Sequence, residues 1–272
     1  MHNNKNITPL AIITASLLWL ACTFYVQTGP TPISTFKGPK PGIKNKIPLR
    51  DRIDKAVEQE FEELDMTVRH FQNTMMRVRY SSVPVVTAPH GLTLGGGCEM
   101  SMHADRVVAA AETYIGLVET GVGVIPGGGG TKEFAIRTSR EFHNDDVKNN
   151  RLRDAFMNIA MGKVATSAYE AYDMGILENH KDIVVVNKNT QILEAKKVAK
   201  LLAEQGYTQP IEQKVKVLGK DVLGMFYVGT DQMLTGNFIS AHDKKIADKL
   251  ANVMVGGNLS EPTVVTEQYL LN

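Results

Sequence analysis

Residues 84–131 read PVVTAPHGLTLGGGCEMSMHADRVVAAAETYIGLVETGVGVIPGGGGT, and the alternation in this stretch decides the fold. A short buried strand is expected over 83–88, with Pro84 near its start, where a missing N–H is tolerated. After His90-Gly91 the chain reaches a glycine turn at 95–97 that runs into a helix. Further strands are expected at 106–110 and, briefly, at 114–116. The segment GVGVIPGGGGTKEFAIR then gives a loop, a second glycine turn and another helix. Repetition of strand, turn and helix predicts an α/β architecture.

Upstream, Phe61, Leu64, Val68, Phe71, Met75 and Val78 recur at steps of three and four. This predicts a long amphipathic helix over 54–80 whose apolar stripe faces the core. Residues 28–50 are rich in Pro, Gly and Lys without apolar periodicity and read as a linker. Residues 7–26 carry no charge and are long enough to cross a bilayer. Three readings of them stand. As a membrane anchor, they would leave the Lys/Arg-rich stretch 37–52 on the cytoplasmic side. They are otherwise a buried element or a start not native to this domain. A signal peptide has only Lys5 as its basic region and no clean cleavage site.

Downstream, the polar stretch 139–150 reads as a surface insertion and 152–161 as a helix. Ser167 is placed to cap the helix AYEAYD, which Gly175 ends. A last clear strand is expected at 183–186, and from Thr190 onward the pattern is mainly helical, including 191–205 and 242–254.

The bulk composition excludes several classes. The chain has 272 residues, 43% hydrophobic and 22% charged, and a net charge of +1. No basic excess exists to neutralise phosphates, so nucleic acid is not an expected partner. Two cysteines, Cys22 and Cys98, make no disulfide framework or zinc site, and a reduced, cytoplasmic protein is the expectation.

Two carboxylates carry the chemistry. In GGGCE, 95–99, three glycines before a helix let backbone approach a ligand, and the free N–H groups at a helix start attract negative charge. Such an amide can stabilise an oxyanion. Glu99 lies just beyond, in the first helical turn, where an acid also compensates the helix dipole. Glu119 stands between Leu117-Val118 and a glycine-rich apolar loop. Apolar surroundings raise a carboxyl pKa and favour proton delivery near neutrality; the plainer reading is an exposed loop acid. Two acids on separate glycine-flanked turns could together hold a water.

The 84–131 stretch resembles the signature region of the enoyl-CoA hydratase/isomerase (crotonase) family. The likeness rests on the GGGCE turn, Asp105 ahead of a strand, the acid at Glu119 twenty residues beyond Glu99, and the proline–glycine helix start at Pro126 to Gly130. SAYEAYDMGIL also looks like the family's alanine-rich helix. The likeness extends over 55–272 to the hydratase portion of bacterial multifunctional proteins that also carry a 3-hydroxyacyl-CoA dehydrogenase. It implies a crotonase-like spiral of strand–strand–helix units over 54–188, followed by a mainly helical region over 189–272, with 1–53 unmatched.

The resemblance further implies hydration of a 2-enoyl-CoA in fatty-acid β-oxidation, with isomerisation as the alternative activity. Glu99 would activate the water, Glu119 would protonate C2, and Gly96 would give one oxyanion amide. Gly95, Gly97 and Gly127 would border the substrate, and Ile125 and Pro126 would shape the acyl pocket. No metal is implied, and coenzyme A enters only as part of the substrate. A homo-oligomer or a fatty-acid oxidation complex is the implied setting, with membrane contact only through 7–26.

One place departs from the pattern. The family's other oxyanion amide comes from a turn before the 54–80 helix, and here that place reads NKIPLRDR, 45–52. Nothing upstream resembles the family's first strands. Loss of one such donor costs on the order of a hundred- to a thousand-fold in rate. A truncated or spliced family member is therefore expected, and with it the alternative of an impaired remnant that binds acyl-CoA or a partner.

Other motifs carry little. Thr131-Lys132 after the glycine run reverses the phosphate-loop order, and Gly121-Val122-Gly123 lacks the dinucleotide spacing. Cys98 is expected as a packed thiol, and His90 and His103 as structural side chains. No G-x-S-x-G elbow exists for a serine hydrolase.

Overall fold

A computed structural model describes residues 61–142 and 147–272. The expectations for 7–26, 28–50 and 45–52 lie outside these residues.

Helix α1, Phe61–Arg79, carries acids in its first turn and arginines in its last, as the helix dipole favours. Then come β1, Val86–Thr87, and β2, Gly91–Leu94, followed by α2, Gly96–His103. The next turn of the spiral gives β3, Arg106–Ala110, β4, Thr113–Gly116, and a tight 3-10 turn at Glu119–Val122. After it come α3, Gly130–Arg140, and α4, Lys148–Ala160. Strand β1 pairs in parallel with β3, while β2 pairs in parallel with β4. Each strand–strand–helix unit therefore lays one strand on each of two sheets, and the expected α/β crotonase-like spiral is present. Helix α5, Ala168–Asp173, leads to β5, Ile183–Val185, which extends the first sheet beside β3.

The strand expected over 83–88 shrinks to Val86–Thr87. Pro84 has no N–H for a ladder, and the Val85 N–H is taken by Asp105 Oδ2 at 2.7 Å. Strand β2 was not expected from the sequence. The polar stretch 139–150 is not one insertion: Ser139 and Arg140 close α3, and 148–150 open α4. Ser167 caps α5 by accepting from the Glu170 N–H, and Gly175 follows with φ +73°.

The chain continues through α6, Gln191–Glu204, β6, Lys214–Val217, α7, Lys220–Thr235, α8, Ala241–Val255, β7, Thr263–Thr266, and α9, Glu267–Leu271. The region is mainly helical but includes the antiparallel ribbon β6–β7, which the helical reading missed. A Ser240–Asp243 capping box starts α8. Leu223 and Phe226 from α7 and Leu250 and Met254 from α8 enter the same buried cluster as Met102, Ile115, Phe134 and Phe156. Truncating one such fully buried Leu to Ala costs about 2–5 kcal/mol. Among the described residues, no helix is long and apolar enough to cross a membrane.

Candidate active site

Strand β2 delivers the chain to Gly95, whose φ of +56° suits only glycine. The Gly95 N–H donates to the Gly116 carbonyl at 2.9 Å, tying the first glycine turn to the end of β4. Helix α2 opens at Gly96, where the first N–H groups lack partners within the helix. The Glu99 N–H donates back to the Gly95 carbonyl at 2.9 Å, which fixes Glu99 in the first turn.

Glu99 is only 1% exposed. Its Oε1 accepts from the Gly128 and Gly130 N–H groups, at 2.8 Å each. One carboxyl oxygen thus staples the second glycine turn to the first helix. Burial pushes the Glu99 carboxyl up to about 7, against the opposing pull of these amides.

Glu119 begins the 3-10 turn, which Gly123 closes at φ +83° and Thr120 anchors by donating to the Ile159 carbonyl at 2.8 Å. The side chain is 4% exposed, and its Oε2 is buried without a hydrogen-bond partner among the described residues. Leaving a buried polar atom unpaired costs about 1–3 kcal/mol, so such an atom has capacity for a ligand or water. Burial, and after it the charge of Glu99, raises the Glu119 carboxyl to about 8. The plainer reading of Glu119 as an exposed loop acid is corrected by its burial, whereas Glu99 does stand in the first turn of α2, where it also faces the helix dipole.

The other candidates lie on the two glycine turns or just before the second. Gly95, Gly96 and Gly97 form the entry to α2. Pro126 is buried, Gly127 has open space where a side chain would stand, and Ile125 is partly buried against the main core. Cys98 is fully buried in that core, as a packing thiol. His90 is exposed.

Sequence reasoning missed what lies behind the site. His103 Nδ1 meets the Glu99 carbonyl at 2.7 Å, and burial holds its imidazole neutral by lowering it to about 3. Its Nε2 would lie 3.2 Å from a Cβ at Gly129, so the ring backs the loop that grips Glu99. Beyond it, Lys132 Nζ bridges Glu133 Oε1 and Glu267 Oε2 at 2.7 Å each, and Arg79 holds the other Glu133 oxygen at 2.8 Å. These charges look like solvent-facing residues in the sequence, and only Arg79 at the end of the α1 stripe hints at burial. A separate cavity of about 790 Å³, walled by Arg79, Arg106, Arg137, Arg140 and Lys181, is not lined by either carboxylate of the pair.

Known proteins resemble this chain over much of the same region. Residues 52–145 match the pattern of the enoyl-CoA hydratase/isomerase family. The chain is 46% identical over 214 residues to a probable 3-hydroxyacyl-CoA dehydrogenase of Bacillus subtilis (strain 168), covering 79% of this chain and 27% of that one. It is 33% identical over 138 residues to a putative fatty acid oxidation complex trifunctional enzyme of Rickettsia felis, covering 51% and 18%. The chain therefore spans only about a quarter or less of the length of these relatives. An enoyl-CoA hydratase structure from Bacillus anthracis aligns with a TM-score of 0.41 at 24% identity, over 71% of this chain and 62% of that one. Residues 52–145, where Glu99, Glu119 and both glycine turns lie, are thus a match to the enoyl-CoA hydratase/isomerase family.

Proposed function

We propose that this chain is an enoyl-CoA hydratase-type lyase that adds water across the double bond of a 2-enoyl-CoA. The observation that carries the reading is two buried carboxyls on glycine-flanked turns, Glu99 gripped by the Gly128 and Gly130 N–H groups and Glu119 with an oxygen that no described residue bonds. Burial raises both carboxyls, so near neutrality the pair retains a proton, the state that acid–base catalysis of hydration requires. Ionised Glu99 takes a proton from water as its oxygen bonds to C3. The electron pair of the double bond moves toward the thioester carbonyl, whose oxygen the Gly96 N–H stabilises. Glu119 gives its proton to C2, and the sum is one water added. Retention of both acids favours hydration over isomerisation.

The names of the relatives support a setting in fatty-acid β-oxidation, within a larger multifunctional chain or oxidation complex. A cytoplasmic location fits the cysteine usage. The test is loss of enoyl absorbance with crotonyl-CoA. Glu99→Gln and Glu119→Gln should each slow hydration by about 10²–10⁴-fold; if neither changes the rate, the roles are wrong. A second reading, acyl-CoA binding without turnover, draws on NKIPLRDR at 45–52, in the place of the family's other oxyanion amide. Calorimetric binding of butyryl-CoA by a chain that does not hydrate crotonyl-CoA would select it.

A further inference from the structure

Helix α1 sends one aromatic ring into the space between the two glycine turns. A Cβ on Gly96 would stand 3.1 Å from Phe71 Cζ and 4.0 Å from both Cε atoms, so the ring meets Gly96 tip-first. A Cβ on Gly128 would stand 2.5 Å from Phe71 Cε1 and 2.8 Å from Cζ. The same point lies 2.6 Å from Glu99 Oε2. The tip of Phe71 is therefore wedged between Gly96 and Gly128, beside the Glu99 carboxyl.

Its position is fixed from behind. Gln72 Nε2 donates to the Leu271 carbonyl at 3.1 Å, Arg79 pairs with Glu133 at 2.8 Å, and Tyr80 bonds Glu267. These contacts pin α1 to α3 and α9, so the ring is presented by a braced helix. A phenyl ring held this way is a wall, because moving it requires shifting the buried Arg79–Glu133 pair and the hydrogen bonds beside it.

We propose that Phe71 is a specificity-determining residue that restricts the site to acyl groups unbranched at C2 and C3. The inference rests on the hydratase-type reading for the direction of the acyl chain. With the thioester oxygen on the Gly96 N–H and the attacking water on Glu99, C2 and C3 pass between these two groups. That path runs alongside the Phe71 tip, where a methyl branch meets aromatic carbon.

The test is calorimetric binding of butyryl-CoA, 2-methylbutyryl-CoA and 3-methylbutyryl-CoA to the full chain, its Phe71→Leu variant and its Phe71→Ala variant. One methyl group in a closed pocket is worth about 10- to 200-fold in discrimination. Wild type should bind the straight chain at least about tenfold more tightly than either branched one. Phe71→Ala should lower that ratio by about tenfold, and Phe71→Leu should fall between. If Phe71→Ala does not fold, Phe71→Leu alone carries the comparison. An equal ratio in wild type and variant overturns the inference. Failure of wild type to hydrate crotonyl-CoA while it still binds butyryl-CoA overturns the hydratase reading and leaves the binding ratio readable. Absence of binding to all three thioesters overturns both.

Discussion

Glu99 and Glu119 reach each other electrostatically from different elements, the first turn of α2 and the 3-10 turn after β4. Burial raises both carboxyls, and the charge of Glu99 adds to the rise at Glu119. The pair therefore keeps a proton near neutrality that neither carboxyl would hold if it were exposed.

The first prediction concerns the pH profile. Below about 7 both carboxyls are protonated and no base remains; above about 8 both are ionised and no acid remains. Hydration of crotonyl-CoA should follow a narrow bell between these limbs, which belong to the pair jointly. Glu119→Gln should remove the alkaline limb from whatever activity survives. A profile flat from pH 5 to 10 would contradict the paired-acid mechanism.

The second prediction concerns stability, and the sign follows from linkage. A carboxyl raised in the folded state binds its proton more tightly folded than unfolded. Its contribution is fully present below the unfolded value near 4.5 and is lost as pH rises through about 7 for Glu99 and about 8 for Glu119. Wild type should therefore melt lower at pH 9 than at pH 6. Glu119→Gln should flatten that fall and raise the melting temperature at pH 9; about 1 kcal/mol corresponds to roughly 2–4 °C for a chain of this size. Thermal melts of both proteins across this range decide it.

The third prediction tests the amide staple. Gly130→Ala puts a methyl 2.8 Å from Leu117 Cδ1 and 3.1 Å from Glu99 Cγ, whereas Gly127→Ala meets nothing within 4 Å. The first change should pull the Gly130 N–H from Glu99 Oε1 and reduce hydration by about 10²-fold, since misplacement near 1 Å has that cost. Gly127→Ala should leave the melting temperature within about 1 °C, as for a substitution in open space. Equal behaviour of the two variants would mean that the second glycine turn does not position Glu99.

Legibility from sequence varied with how local the determining signal was. The Ser167 cap and the glycines around Glu99 are local patterns, and each lies where its pattern places it. The apolar stripe of α1 buries only Met75, while Phe61 and Val68 at its N-terminal end are 63% and 43% exposed, against the expected core-facing stripe. Strand β2 escaped because it has only four residues, of which Leu92 is 72% exposed, so no buried run marks it. The ribbon strands β6, KVKV, and β7, TVVT, are equally short and, among the described residues, pair only with each other, across the intervening helices α7 and α8. Phe71 looked like one more core residue because sequence shows the stripe but not the glycines opposite it. The Lys132–Glu267 pair joins α3 to α9, and nothing in either segment announces that both side chains are buried.

The fourth prediction follows from that pair. Lys132 is 1% exposed and neutralises two acids, Glu133 and Glu267, while Arg79 holds Glu133 from the other side. Lys132→Met keeps the side-chain volume but leaves two carboxylates facing each other in the interior. Breaking a buried pair by removing one partner costs about 3–5 kcal/mol. The Lys132→Met variant should melt well below wild type at pH 7 and recover part of the loss at pH 5, where the stranded acids accept protons. Lys132→Met with Glu267→Gln removes one stranded charge and should recover stability at pH 7 as well. If the double variant melts no higher than Lys132→Met, the cost lies in packing around Lys132 and the charges do not matter. If it does recover, α9 is held to the helix behind Glu99 by charge balance, and residues 267–271 support the geometry of the site from its far side.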